Sequence, residues 1–154
     1  MRLHNIDLLI AEDTPSDAEL IRESLGAALA ERAHVASDGV EALDFLFCRG
    51  DYSDRAFDQP PRLIMLDLKL PKIDGLSVLG EIKRDRRTRA IPVVMLTSSL
   101  IDDDVRRAYE LGVNSFVQKP MEFDRFRTTV RAIGQYWLTV NEKPPVGAFR
   151  MDIS

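Results

Sequence analysis

Short apolar runs alternate along the chain with longer stretches in which apolar residues recur every three or four positions. The runs often contain β-branched residues, as strands buried between two helix layers do. The three-to-four spacing predicts helices that pack one face against a sheet. This alternation predicts a doubly wound α/β fold with five parallel strands. The predicted strands are 7–11, 33–36, 63–66, 91–96 and 115–117.

Sequence signals mark where the predicted helices begin and end. Thr14 is expected to cap the first helix, with Pro15 at the first helical position and Asp17 three residues after the cap. Gly112 follows the fourth helical pattern, where a residue in the left-handed conformation commonly ends a helix. The fifth helical pattern is the longest and spans 123–137.

Composition excludes several classes of protein. The chain has 154 residues and a net charge of -4, which fits one domain and gives no basic surface for nucleic acid. No apolar run reaches the roughly 18 residues that a membrane span needs. Cys48 is the only cysteine, which excludes an internal disulfide. We expect a cytoplasmic protein with no nucleic acid or membrane partner, a domain at 1–138 and a tail at 139–154.

Polar side chains end four of the five predicted strands. Doubly wound sheets bind ligands at the carboxyl ends of their strands, and in the common order 2-1-3-4-5 the first and third strands are neighbours. This order brings together Glu12, Asp13, Asp67, Thr97 and Lys119. Buried carboxylates need a cation beside them, and Mg²⁺ and Lys119 are the candidates. A carboxylate in that setting can attack phosphorus, so the residues themselves indicate phosphoryl transfer to Asp67.

Four segments that carry these residues resemble the receiver domain of two-component response regulators. They are Glu12-Asp13, 65–75, 91–99 and Lys119-Pro120, and they stand in the order of the family. The resemblance implies a (βα)5, flavodoxin-like or CheY-like fold. It also implies that Asp67 accepts a phosphoryl group from a sensor histidine kinase. The implied Mg²⁺ ligands are Glu12, Asp13, Asp67 and the backbone carbonyl of Lys69.

The same resemblance assigns roles to further residues. It implies that Thr97 and Lys119 contact the phosphoryl group, and that the ring of Phe116 turns inward when the threonine is drawn to that group. A surface on the fourth helix, the fifth strand and the fifth helix is then expected to report the phosphorylated state. In this family the bond between Lys119 and Pro120 is usually cis.

Other features resemble single-domain regulators that are paired with phytochrome-type photoreceptor kinases. They are the long loop with Gly50-Asp51-Tyr52, the segment 109–116 and the segment Tyr136-Trp137-Leu138. This resemblance implies a bacteriophytochrome kinase as the partner. Because sixteen residues follow Leu138, we expect output through contact with another protein, phosphate relay or self-association. The loop 48–61 is either functional or a tolerated insertion.

Aromatic residues near the end of the chain favour an interface. The candidates are Phe126, Tyr136, Trp137 and Leu138, although the helical spacing favours packing in the core for Phe126. We expect a homodimer through the fourth and fifth predicted helices, with the tail 139–154 as a dimerisation arm.

Three other functions fit parts of the pattern. A metal-dependent phosphatase with an aspartate nucleophile places a second acid two residues on, where this chain has Lys69, so we do not expect an enzyme. A flavodoxin-type cofactor binder needs a phosphate loop after the first strand, where Glu12-Asp13 would repel a phosphate. A pseudo-receiver that only docks partners does not require the intact acid, threonine and lysine set.

Overall fold

A computed structural model describes residues 6–145 of the chain. Five parallel strands form one sheet in the order β2-β1-β3-β4-β5, which confirms the predicted doubly wound (βα)5 fold. The strands are β1 (Leu8–Ala11), β2 (Ala33–Ala36), β3 (Leu63–Leu66), β4 (Val93–Thr97) and β5 (Ser115–Gln118). The helices are α1 (Pro15–Leu25), α2 (Ala27–Ala30), α3 (Gly39–Leu46), α4 (Gly75–Arg84), α5 (Asp102–Leu111) and α6 (Phe123–Gln135).

Some boundaries differ from the prediction. The strand β4 begins at Val93, two residues late, because the preceding Pro92 has no N–H to donate to a ladder. It ends one residue late because Thr97 pairs with Gln118 on β5. The fifth helical pattern divides into α6 and a π-helical turn, Tyr136–Val140. The short helix α2 was not predicted.

The two helix signals have different outcomes. Gly112 follows α5 in the left-handed conformation with a φ of 102°, as predicted. Thr14 is the N-cap of α1 and Pro15 its first residue, but the Thr14 side chain makes no capping hydrogen bond. The backbone N–H of Thr14 donates to Glu12 at 3.2 Å, whereas the capping pattern assigns that N–H to Asp17. The predicted helix start at Thr14 and Pro15 is confirmed, but Glu12 rather than Asp17 accepts the N–H of Thr14.

Apolar side chains form a core layer on each face of the sheet. Successive residues of β1 point to opposite faces, so Leu9 and Ala11 enter one layer, and Leu8 and Ile10 enter the other. The first layer is covered by residues of α3, α4 and α5, among them Phe45, Leu79 and Ala108. The second is covered by residues of α1 and α6, among them Ile21, Phe126, Val130 and Ile133.

The long loop between α3 and β3 packs against the edge strand β2. The Tyr52 hydroxyl lies 2.9 Å from Nε2 of His34 on β2 and donates to Glu41 on α3 at 3.1 Å. Arg55 is buried, stacks 3.7 Å from the ring centre of Phe45 and donates to the backbone carbonyl of Phe45. These contacts give the loop a packing role at the edge of the sheet.

The four interface candidates divide into buried and exposed residues. Phe126 and Leu138 are 5% and 6% exposed and belong to the second core layer. Trp137 packs against the same layer, whereas Tyr136 is 49% exposed. The expected core packing of Phe126 is confirmed, and the interface prediction is corrected for both Phe126 and Leu138, because their own chain buries them. Residues 146–154 of the predicted arm lie outside the described residues.

Two further expectations concern the backbone. From residue 6 to residue 145, no helix combines the length and the apolar character needed to cross a membrane. The described peptide bonds include no cis bond, so the bond between Lys119 and Pro120 is trans rather than cis. Trans is the form that a bond before proline prefers by about 0.5–1 kcal/mol.

Candidate functional site

The ammonium group of Lys119 lies at the centre of a cluster of carboxylates. Its Nζ donates to Glu12 Oε1 at 2.5 Å, to Asp67 Oδ2 at 2.9 Å and to Asp17 Oδ2 at 2.9 Å. The lysine side chain is 9% exposed, and those of Glu12 and Asp67 are 2% and 10% exposed. The Asp17 side chain is 34% exposed. One nearly buried cation is therefore shared by three acids, of which Asp17 is the most accessible.

The register of the sheet brings these side chains together. The last residues of β1 and β3 are paired, so Glu12 and Asp67 follow neighbouring strands at the same level. The backbone N–H of Asp67 donates to the carbonyl of Ala11 at 3.0 Å. Lys119 follows β5, and its backbone N–H donates to the carbonyl of Thr97 at 2.7 Å. The pairing thus extends past the strand ends and fixes the backbone beneath the site.

The start of α4 supports the loop that follows Asp67. A Cβ atom at Gly75 would lie 2.2 Å from the carbonyl oxygen of Asp67, so only glycine permits this approach. The N–H of Gly75 donates to the carbonyl of Leu68 at 2.8 Å. Asp74 caps the helix by accepting a hydrogen bond from the N–H of Ser77 at 2.8 Å. These contacts fix the backbone on the carboxyl side of Asp67.

Three carboxylates could hold a divalent metal ion. Oxygen atoms of Glu12, Asp13 and Asp67 lie within 4.8 Å of one another. Asp13 is exposed while the other two are buried, so the cluster is open to solvent on one side. A donor set made only of oxygen suits Mg²⁺, which keeps several water ligands. The residues therefore fit the metal that the sequence predicts.

Burial controls the protonation of the acid cluster. It raises the pKa of Glu12 to about 7, against the hydrogen bond from Lys119 and with a further increase from the charge of Asp67. Burial alone would lower the pKa of Lys119, but the hydrogen bonds to the surrounding carboxylates outweigh it and hold that pKa above the usual lysine value. Lys119 therefore stays charged at neutral pH, and a second cation would favour the ionised form of Glu12.

The other predicted site residues differ in their exposure and contacts. Thr97 is 1% exposed, and its hydroxyl oxygen accepts a hydrogen bond from the N–H of Ser99 at 3.3 Å. Phe116 is half-buried and packs against the first core layer. Lys69 is exposed, and its backbone N–H donates to Asp67 Oδ1 at 3.2 Å. The Mg²⁺ contact of its carbonyl and the turning of Phe116 stay predictions.

Sequence reasoning missed the contact of Asp17 with the site. Asp17 is the third residue of α1, and its spacing from Thr14 indicates a capping acid. Its actual partner, Lys119, is 102 residues away in sequence. An acid in the first turn of the helix that follows Glu12 and Asp13 is the signal that could have indicated this contact.

Comparison with known proteins identifies related sequences. The sequence model of the response regulator receiver domain matches residues 8–131. The chain is 45% identical over 140 residues to the probable methanogenesis regulatory protein FilR2 of Methanothrix harundinacea, an alignment that covers 89% of this chain and 86% of that protein.

Two solved structures share the fold over nearly their whole length. The phosphorylated cyanobacterial phytochrome response regulator RcpA superposes with a TM-score of 0.83 and is 35% identical, over 90% of this chain and 97% of that chain. The Mn²⁺-bound form of the response regulator Rcp1, a Synechocystis protein, gives a TM-score of 0.82 and 37% identity, over 90% and 98%.

Proposed function

Because the chain belongs to the family of response regulator receiver domains, we propose that phosphorylation of Asp67 by a sensor histidine kinase switches a protein-interaction surface. Receiver domains interact with histidine kinases, use Mg²⁺ in phosphorylation and typically act as signal transducers rather than enzymes. The observation that best supports the proposal is the buried Asp67 carboxylate, 2.9 Å from the Lys119 ammonium and beside two further acids.

In the proposed transfer, a carboxylate oxygen of Asp67 forms a bond to phosphorus while the bond from phosphorus to a histidine nitrogen of the kinase breaks. The electron pair of the broken bond returns to that nitrogen, and the ring leaves as neutral imidazole because its other nitrogen carries a proton. An acyl phosphate then stands on Asp67. Water later attacks its phosphorus, which restores the carboxylate and releases inorganic phosphate.

Lys119 and Thr97 are the groups of this chain that would bind the transferred group. The ammonium is held at the site by its carboxylate partners and opposes the charge of the phosphoryl oxygens. The Thr97 hydroxyl accepts one hydrogen bond and keeps its hydrogen to donate. In this proposal, that donation draws Thr97 toward the phosphoryl group, and the half-buried Phe116 turns inward behind it.

Mg²⁺ fits beside Asp67 in this proposal. Glu12, Asp13 and Asp67 would hold the ion together with the backbone carbonyl of Lys69, and the ion supplies positive charge that neutralises the phosphoryl oxygens. The similarity to Rcp1, which binds Mn²⁺ in its solved structure, supports a divalent metal at this position.

The phosphodonor that we propose is a phytochrome-type histidine kinase in the cytoplasm. The similarity to the phytochrome response regulator RcpA supports it. We expect an autophosphorylated bacteriophytochrome kinase to transfer its phosphoryl group to this chain within minutes, as measured by loss of label from the kinase. Transfer from an unrelated kinase at the same rate would contradict the assignment. This comparison is necessary because the chain is also 45% identical to FilR2, whose name refers to methanogenesis and not to a phytochrome.

We also propose a homodimer through α5 and α6, which are the fourth and fifth helices of the sequence prediction. Exposed apolar side chains on or next to these two helices support it, among them Ile101, Tyr109, Phe123, Tyr136 and Val140. Size-exclusion chromatography with light scattering at micromolar concentration should give twice the mass of the chain, and Tyr109→Ser should shift the population toward monomer. A monomer both with and without the phosphoryl group would contradict this part.

Intact-mass spectrometry after incubation with Mg²⁺ and acetyl phosphate tests the central proposal. We expect one phosphoryl adduct on the wild type, and none on Asp67→Asn or in the presence of EDTA. The matched control is Asp102→Asn, in the exposed first turn of α5, which should keep the adduct. A wild type that accepts no phosphoryl group from acetyl phosphate or from a phosphorylated kinase would leave the pseudo-receiver docking module as the function.

A further inference from the structure

Asp17 contacts the buried ammonium of Lys119 but is not one of the acids grouped around the metal position. That group consists of Glu12, Asp13 and Asp67. The contact from Lys119 Nζ to Asp17 Oδ2 is 2.9 Å, equal to its contact with Asp67. Asp17 therefore shares the lysine with the phosphoacceptor without belonging to the group of acids that could hold a metal ion.

The backbone of α1 leaves the Asp17 carboxylate free for this contact. An acid at the third helical position commonly accepts the N–H of the N-cap residue. Here the N–H of Thr14 donates to Glu12 instead, at 3.2 Å. Pro15 at the first helical position has no N–H to offer. The charge of Asp17 is thus directed at Lys119 rather than at the end of its own helix.

The charge balance of the site makes this contact a competitor for a phosphoryl group. Three carboxylates contact the one ammonium, and Asp13 adds a fourth acid beside Glu12 and Asp67. A phosphoryl group on Asp67 brings further negative charge and must obtain its contact with Lys119 from the existing partners. Glu12 is buried and follows a strand directly, whereas Asp17 lies on a helix with a side chain that is 34% exposed. Asp17 is therefore the partner whose carboxylate can leave the lysine and be hydrated at the lowest cost in free energy.

We propose that Asp17 is a positioning residue that holds Lys119 before phosphorylation and competes with the phosphoryl group for its ammonium. This inference rests on the proposed phosphorylation of Asp67. The ion pair between Asp17 and Lys119 holds the ammonium that also contacts the acceptor carboxylate. The free-energy cost of breaking this ion pair opposes formation of the phosphorylated state. Asp17 therefore sets how tightly the site holds the phosphoryl group.

The variant Asp17→Asn tests the competition, with beryllofluoride as a phosphoryl analogue at saturating Mg²⁺. Saturating metal removes any change in Mg²⁺ affinity from the measurement. We expect the variant to bind the analogue about two- to fivefold more tightly than the wild type, the factor that corresponds to a partly exposed ion pair. The rate of adduct formation from acetyl phosphate should rise in the same direction. Asp17→Glu keeps the charge and should restore the wild-type affinity.

The matched control is Glu19→Gln, which removes an equal charge from an exposed position of the same helix. It should bind the analogue as the wild type does. An Asp17→Asn affinity that is equal to or weaker than that of the wild type overturns the proposal, and so does an equal gain in Glu19→Gln. A wild type that binds no analogue and forms no adduct overturns the proposed function as well, and the wild-type arm alone distinguishes that case. Thermal unfolding of each variant verifies that the fold is intact.

Discussion

Two lysines with largely buried side chains lie at opposite ends of the sheet and have contrasting surroundings. Lys119 follows β5 and donates to three carboxylates. Lys83, at the end of α4, donates to the carbonyl oxygens of Arg89 at 3.1 Å and Ile91 at 2.9 Å, and to the side-chain oxygen of Asn114 at 3.0 Å. Ile91 precedes β4 and Asn114 precedes β5, so Lys83 joins the amino ends of these two strands to a helix.

The pKa values of the two lysines shift in opposite directions. Burial lowers the pKa of Lys83 to about 8, because carbonyl dipoles repay little of the cost of removing a charge from water. Carboxylates hold the pKa of Lys119 above its usual value despite burial. At Lys83 the ammonium donates to three oxygen atoms, and all three belong to uncharged groups. At Lys119 the acids outnumber the cation, and this excess of negative charge attracts a metal ion.

The largest difference between the two ends of the sheet should come from Lys119→Met. This substitution removes the only ammonium that contacts Asp67 within residues 6–145. We expect beryllofluoride affinity at saturating Mg²⁺ to fall about 100-fold, the usual scale for loss of a directed charged donor. Lys83→Met should leave that affinity unchanged. Titration calorimetry on both variants makes the comparison, and equal losses would mean that the two lysines do not differ in role.

Lys83→Met should affect stability instead. It leaves the carbonyl of Ile91 and the side-chain oxygen of Asn114 without the lysine donor, which should lower the free energy of unfolding by about 1–3 kcal/mol. Urea unfolding measures the change, with exposed Lys143→Met as the control for the loss of a charge. A variant as stable as the control would show that Lys83 does not join the strands to the helix.

The sequence predicts the residues at the Lys119 end of the sheet but not the contacts of Lys83, for a physical reason. Asp67 and Lys119 follow buried strands directly, so periodicity and the parallel sheet suffice to bring them together. The contact of Lys83 with Asn114 spans 31 residues and that of Asp17 with Lys119 spans 102. Both join a helix to a distant loop, and their formation depends on packing distances that a local pattern does not contain.

Asp13→Asn tests the metal site at the end of the sheet that carries Lys119. Asp13 is the exposed member of the three acids that could share a metal ion, so its loss removes a ligand without opening the core. We expect Mg²⁺ affinity to fall by about tenfold or more, the scale found when a metal site loses a supporting group. Calorimetric titration of Mg²⁺ without a phosphodonor measures it, and Asp102→Asn serves as the exposed acidic control. Unchanged affinity would remove Asp13 from the ligand set.

The smallest expected effect is a pH dependence of stability at Lys83. Its pKa of about 8 in the folded chain lies below the usual value of 10.5, so the unfolded chain binds more protons between these values. Stability from this residue therefore increases as the pH rises from 8 to 10.5. The deficit of Lys83→Met relative to the wild type should grow by about 1 kcal/mol across that window, given partial screening by solvent. Urea unfolding at several pH values measures the gap, while the gap for Lys143→Met should stay flat. A deficit that shrinks with rising pH would mean that the carbonyl oxygens stabilise the charged form, and that the two ends of the sheet hold their lysines in the same way.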